Sequence, residues 1–439
     1  MPSAVSPTIP EQNVTKFTNC RLVRGDALVW EDVWVSALTG KILQSQAAFY
    51  DEFITPDQTV NLGGRILSPG FIDCQLNGAF GFNFSTDRDD MSEYGKQLRG
   101  LNKKLVETGV TSYLPTVTSQ TSSLYHRVLP YLAPSGSSRL ALAGSESLGA
   151  HVEGPFLSPA KNGIHDVSVL RTASTYSDLE EVYGQSNITP SSFGSLSSLP
   201  VKMITIAPEL GPMTTSIIPR LRSNGITVSI GHSEATYEEA SAAVSAGATM
   251  ITHLFNAMRP LHHRNPGIFG VLGTAPDDRS QRPYFGVIAD GIHLHPTAVK
   301  IAWNAHPDGF VLVSDAMHTL GLPDGRYEWW NGQVKDWIVK SGGELLLEGR
   351  GTIAGSSTSL IECVNNFMQW SGATIPQALK TVTVTPAAML GVQRVKGVLD
   401  PGADADLVVL SEESVEGRKH LSVDEIWKFG AKVFDRAGG

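Results

Sequence analysis

Four segments of this chain end an apolar run with a residue able to bind a metal or move a proton. Val228-Ser229-Ile230-Gly231-His232 and Met250-Ile251-Thr252-His253 put two imidazoles behind neighbouring apolar runs, one parallel-barrel repeat apart. Upstream, Leu148-Gly149-Ala150-His151-Val152-Glu153 ends in a carboxylate just before Gly154-Pro155, a turn that cannot continue a strand. Downstream, Phe310-Val311-Leu312-Val313-Ser314-Asp315 does the same. Glu153, His232 and His253 form a donor set suited to a divalent transition metal, zinc or iron, and three protein ligands leave one position open for water. Asp315 is then placed to take that water's proton and return it to a leaving nitrogen. One His or Asp at a strand end is more often a hydrogen-bonding residue; four at successive strand ends argue for a hydrolytic centre.

Other polar residues fall in the same class of loop. His165, in Lys161-Asn162-Gly163-Ile164-His165-Asp166, follows the Glu153 turn and suits donation to the oxyanion of a tetrahedral intermediate. His293 lies beyond the apolar run Phe285 to Ala289. Arg264 stands in Pro260-Leu261-His262-His263-Arg264-Asn265-Pro266-Gly267, where a guanidinium fork would clamp a phosphate or carboxylate; a solvated surface Arg fits the spacing equally well. There is no P-loop and no Gly-rich dinucleotide fingerprint, so no nucleotide cofactor is indicated.

Reacting groups of a parallel barrel collect at the carboxyl ends of its strands. From Pro69 to about Arg394 apolar strands alternate with amphipathic helices: Phe71 to Asp73 precedes a helix around Met91 to Thr108, Val201 to Ala207 one around Thr214 to Asn224, and Thr227 to Ile230 one around Ala235 to Ala246. This alternation predicts a parallel sheet with right-handed crossovers. About eight such units suggest closure, so the expected fold is α/β, a TIM-like (β/α)8 barrel over residues 69–395. Short strands are expected at Phe17 to Val23, Ala27 to Val35 and Lys41 to Leu43, and again within Gly402 to Leu410, where a turn feeds a strand, and at Ile426 to Phe434. Residues 1–68 and 396–439 are therefore expected to pair as a small β-sandwich domain. Two segments break the rhythm: Thr172 to Pro200, rich in Ser, Thr and Gly, reads as a surface insertion, and Gly325 to Gly351 as a β-hairpin arm whose tryptophans pack.

The chain of 439 residues carries a net charge of -9, with a sequence pI near 5.7, which argues against a nucleic-acid surface. No apolar run reaches membrane-spanning length, and the first residues lack the basic start and apolar core of a secretory signal. Cys20, Cys74 and Cys363 are few, odd in number and far apart, as in a reducing compartment. A cytoplasmic protein without membrane contact is expected.

Pro69-Gly70-Phe71-Ile72-Asp73, His151-Val152-Glu153-Gly154-Pro155-Phe156, Gly231-His232-Ser233, Thr252-His253-Leu254-Phe255-Asn256-Ala257-Met258, Ser314-Asp315-Ala316 and Pro401-Gly402-Ala403-Asp404-Ala405-Asp406 occur in order. Together this set resembles the amidohydrolase superfamily and, within it, the family of N-acetylglucosamine-6-phosphate deacetylases. The resemblance implies metal-dependent removal of the acetyl group of a phosphorylated amino sugar. It implies Glu153, His232 and His253 as ligands of one divalent ion, zinc first and iron, cobalt or manganese as alternatives. It makes Asp315 the base and acid, and His165 the group polarising the acetyl carbonyl. Gln75, Ile164, Asn256, Ala257, Arg264, His293 and Leu360 would contact substrate, Arg264 in a neighbouring subunit of a homodimer. Where many amidohydrolases carry His-x-His, this chain has Gln75-Leu76-Asn77; amides are poor transition-metal ligands, so a single ion is expected. Two other readings are an amidohydrolase for an unphosphorylated amide and a silent scaffold; the four retained residues speak against the second.

Overall fold

In the computed structural model, which describes residues 12–191, 199–273, 282–331 and 334–438, eight parallel strands follow one another around a barrel. They are Phe71–Leu76, Val110–Val117, Ala150–Glu153, Val201–Ile206, Thr227–Ile230, Met250–Ile251, Tyr284–Val287 and Phe310–Leu312. Each pairs in parallel with the next. Closure comes just past the strand ends: the Asp315 N–H donates to the Gln75 carbonyl at 2.9 Å, and the Asn77 N–H to the Ala316 carbonyl at 2.8 Å. A helical segment follows every strand, so the strands are buried on both faces. The helix after the fifth strand, Tyr237–Ala246, shows how the sequence sets the bounds: Thr236 and Glu239 form a reciprocal capping box, and Gly247 ends it in the left-handed region at φ 117°.

The chain ends form a β-sandwich against this barrel. A six-stranded sheet runs Ala431–Asp435, Arg418–Lys428, Leu407–Val415, Ile66–Pro69, Arg21–Arg24, Ala27–Trp30, so both termini share it; a four-stranded sheet faces it. Phe17, Leu22, Val35, Leu67, Val409 and Trp427 fill the space between. The two longer N-terminal strands expected from sequence are each broken. Val14–Thr18 and Val33–Ser36 lie in the four-stranded sheet, whereas Arg21–Arg24 and Ala27–Trp30 lie in the six-stranded one. The first break falls at Asn19, whose φ of 50° turns the chain from one sheet to the other.

Residues 172–191 differ more from expectation. Tyr176–Tyr183 and Gln185–Ile188 are helical, and Leu179, Val182, Tyr183 and Ile188 are buried in the main core. This part supplies the helices that follow the third barrel strand; its Ser/Thr-rich composition hides a capping box at Thr175 and Asp178. Residues 192–198 lie outside the described residues. The arm has three antiparallel strands, not two: Gly325–Asn331, Val334–Ser341 and Glu344–Leu347. Trp329 packs there with Met317, Ile338 and Leu345, as expected, while Trp330 is half-exposed.

Candidate metal centre and active site

Glu153 is the last residue of the third barrel strand; His232 and His253 stand two residues past the fifth and sixth, and Asp315 three past the eighth. His232, His253 and Asp315 have φ of 48°, 23° and 48°, a region side-chain-bearing residues seldom occupy. Such conformations persist only where surrounding contacts over-determine them. Here they turn three side chains inward over the barrel mouth.

Glu153 Oε1 lies 3.1 Å from His253 Nε2 and 3.4 Å from His232 Nε2, and the two imidazole Nε2 atoms are 3.1 Å apart. Ligands about 2.0–2.1 Å from a tetrahedral ion stand roughly 3.3 Å from one another, so the trio already has the edge lengths of such a site. His232 Nδ1 donates to the Lys161 carbonyl at 2.8 Å, so in the neutral ring Nε2 carries the lone pair that a metal needs. Burial alone would raise the Glu153 carboxyl, but hydrogen bonds and charge from His232 and His253 outweigh it and hold Glu153 well below the usual range. Glu153, His165 and His232 also bring donor atoms within 4.8 Å of one another. The tighter trio is the better cage, because His165 is 4.0 Å from Glu153 and its Nδ1 is engaged elsewhere.

That engagement sets what His165 can do. The Ser119 backbone N–H donates to His165 Nδ1 at 3.1 Å, and burial drops the ring's pKa to about 3. A neutral ring that accepts at Nδ1 carries its proton on Nε2, which faces Glu153 and the cavity as a hydrogen-bond donor. Asp315 is its counterpart: burial, then the Glu153 carboxylate, push its pKa up to about 6, while Asn77 Nδ2 donates to Oδ1 at 2.7 Å. Below them, His151 Nε2, Thr205 Oγ1, Thr252 Oγ1 and Ser229 Oγ join at 2.6–2.7 Å, a polar layer inside the barrel.

The four residues open onto a cavity of about 410 Å³, also lined by Asn77, Ile164, His165, Asn256, Ala257 and His293, with Thr352 and Ile353 from beside the arm. The amidohydrolase family model matches residues 66–433. An N-acetylglucosamine-6-phosphate deacetylase of Danio rerio is 40% identical over 433 residues, 98% of this chain and 100% of its own. The chain belongs to the N-acetylglucosamine-6-phosphate deacetylase family. The solved structure of such a deacetylase from Thermotoga maritima superposes with a TM-score of 0.74 at 28% identity, over 96% of this chain and 99% of the other. Another, from Mycobacterium smegmatis in complex with N-acetyl-D-glucosamine-6-phosphate, gives 0.74 at 25% identity over 96% and 98%.

In this family member the sequence-derived set divides. Ile164, His165, Asn256, Ala257, His293 and Asp315 line the cavity with the trio. Gln75 sits behind them, its Nε2 donating to Glu153 Oε1 at 2.9 Å, so it orients the carboxylate. Leu360 opens the helix Leu360–Ser371 and its side chain is buried in the main core, away from the cavity lining. Arg264 is exposed on its loop with Nη1 3.1 Å from His263 Nε2, and has no carboxylate partner among the described residues. It does not line the cavity of its own chain. Asp290 fixes His293 from below, accepting from its Nδ1 at 2.7 Å. The hydrogen bond from Asn77 to Asp315 was not read from sequence, although Asn77 shares a strand face with Gln75 by the period of two.

Proposed function

We propose that this chain hydrolyses the N-acetyl group of N-acetyl-D-glucosamine 6-phosphate, giving D-glucosamine 6-phosphate and acetate, in cytoplasmic amino-sugar catabolism. The observation that carries the reading is the Glu153–His232–His253 triangle with an Asp315 carboxyl and a His165 Nε2–H facing the same cavity. Glu153, His232 and His253 would hold one divalent ion, and zinc suits this oxygen–nitrogen set best. When bound, such an ion supplies the Lewis acidity of amide hydrolysis. His165 Nε2–H donates to the acetyl oxygen as charge develops on it. Asp315 accepts a proton at its carboxylate from the attacking water and delivers it to the amide nitrogen as the C–N bond breaks. Asn256, Ala257 and His293 hold the sugar phosphate, and Arg264 reaches the phosphate in the neighbouring subunit of a homodimer. Its exposure, and the lack of a carboxylate partner among the described residues, support that assignment.

Metal analysis after dialysis, with acetate release from the phosphorylated and plain sugars side by side, tests the reading. One tightly held ion per chain and strong preference for the phosphorylated sugar are expected. Two tightly held ions, or no acetate release, would overturn it.

A further inference from the structure

The His232 turn is held from three neighbouring loops, and one of the holding groups is a carboxylate that does not line the cavity. Ser158 N–H donates to the His232 carbonyl at 2.9 Å, and Ser233 N–H to the Ala257 carbonyl at 3.1 Å. Between them stands Glu209, three residues past the fourth barrel strand. Its Oε2 accepts from the Ser233 hydroxyl at 2.7 Å and its Oε1 from the Glu234 N–H at 2.7 Å. The Ser233 hydroxyl oxygen in turn accepts from the Ala235 N–H at 2.9 Å. Glu234 closes the frame by pairing with Lys161 at 2.9 Å, the residue whose carbonyl receives His232 Nδ1–H.

His232 occupies its left-handed conformation within this frame at φ 48°. His adopts that conformation more readily than most residues with a side chain, but it is still uncommon, and neighbouring contacts help to keep it. The backbone bonds to Ser158 and Ala257 would survive a relaxed turn with small shifts. The two charge-assisted bonds to Glu209 would not, because they fix Ser233 and Glu234 together against the fourth strand. We propose that Glu209 is a positioning residue for metal binding: its carboxylate locks the strained turn that aims His232 Nε2 at Glu153 and His253. The inference rests on the proposal that those three residues hold the ion. Its measurable consequence is retention of the ion, since groups that orient ligands typically change metal affinity 10- to 100-fold.

The test compares Glu209→Ala, Glu209→Gln and Ser233→Ala with the parent chain as zinc-loaded proteins. The rate of zinc transfer to a chromophoric chelator is recorded, and the melting temperature of each metal-free form is measured in parallel. Glu209→Ala should release zinc roughly 10- to 100-fold faster. Glu209→Gln, whose amide oxygen can still accept one of the two bonds, and Ser233→Ala, which removes one donor, should fall between. The metal-free forms should melt close to the parent, because the loss is felt at the ligand and not in the core. Unchanged zinc release in all three variants overturns the proposal. So does faster release that merely tracks a lowered melting temperature of the metal-free forms. A parent chain that holds no zinc at all fails earlier, and removes the ligand assignment together with this one.

Discussion

Replacing Asp315 with Asn is the most direct trial of the proposed chemistry, because the structure separates what the change removes from what it leaves. Asp315 is 8% exposed and its Oδ1 accepts from Asn77 at 2.7 Å. An Asn keeps the volume and an oxygen for that bond, so the fold and the strand closure beside it should persist. What disappears is a carboxylate able to take a proton. Loss of a positioned acid–base group costs roughly 10² to 10⁴ in kcat, or about 2.7–5.4 kcal/mol of barrier at 1.36 kcal/mol per decade. Steady-state acetate release should therefore show kcat reduced by that factor, with KM and bound metal nearly unchanged. The pH profile gives a second readout. Asp315 must be ionised to accept a proton, and burial and Glu153 raise its carboxyl to about 6, so the parent rate should fall as pH drops through that value. A bound cation moves this limb lower, as it favours the carboxylate. The Asn variant should lack it. A variant with near-parental kcat, or the same acid limb, would show that another group moves the proton.

Arg264→Ala should lower kcat/KM on the phosphorylated sugar by roughly ten- to a hundredfold, from about 1.5–3 kcal/mol for a charge-assisted fork, and hardly alter residual activity on the plain sugar; equal losses would make it a structural residue. Lys at this position should recover only part, since it supplies charge without the planar fork. Lys428→Met should cost about 3–5 kcal/mol in chemical denaturation, because fully buried Lys428 bonds Asp406 at 2.8 Å and also Glu146. Burial opposes the Asp406 charge, but Lys396 and Lys428 hold its carboxyl well below the usual range. The stability it contributes is present above the unfolded value near 4 and is lost as pH falls towards the folded one, so the parent should lose stability on acidification below about pH 5, and the Lys428 variant less steeply. Tyr183→Ala should destabilise by about 3–5 kcal/mol, since its ring is fully buried and its hydroxyl donates to the Gly154 carbonyl at 2.9 Å; a change below about 1 kcal/mol would place residues 176–188 outside the core.

Which features were legible follows from how far apart the interacting residues stand. The barrel strands and the residues just beyond their ends depend on local apolar runs, so Glu153, His232, His253 and Asp315 stand out of the bare sequence. The helix at Met91 was legible for the same reason, with its Asp90 cap and buried Leu98, Leu101 and Leu105 at helical spacing. Glu209 was not: Ala207-Pro208-Glu209 reads as a polar turn until the fifth strand brings Ser233 against it. The helix at Tyr176 was masked by its composition, although Leu179, Val182 and Tyr183 have helical spacing. The split of the N-terminal strands depended on which of two sheets each half joins, a choice made by pairing with other strands of the first 69 residues.

The seam that closes the barrel also fixes when this chain acquires its chemistry during synthesis. Glu153, His232 and His253 leave the ribosome early, on strands that pair with sequence neighbours. Asp315 meets Asn77 only when the last barrel strand returns to the first, a separation of 238 residues. The strand Ile66–Pro69 that leads into the first barrel strand waits longer still, for Leu407–Val415 to flank it. A nascent chain interrupted before residue 310 therefore carries all three proposed ligands and lacks the proposed proton-transfer residue. On the proposed roles, the residues that would hold an ion are made before the one that would move the proton, which comes with the last third of the chain.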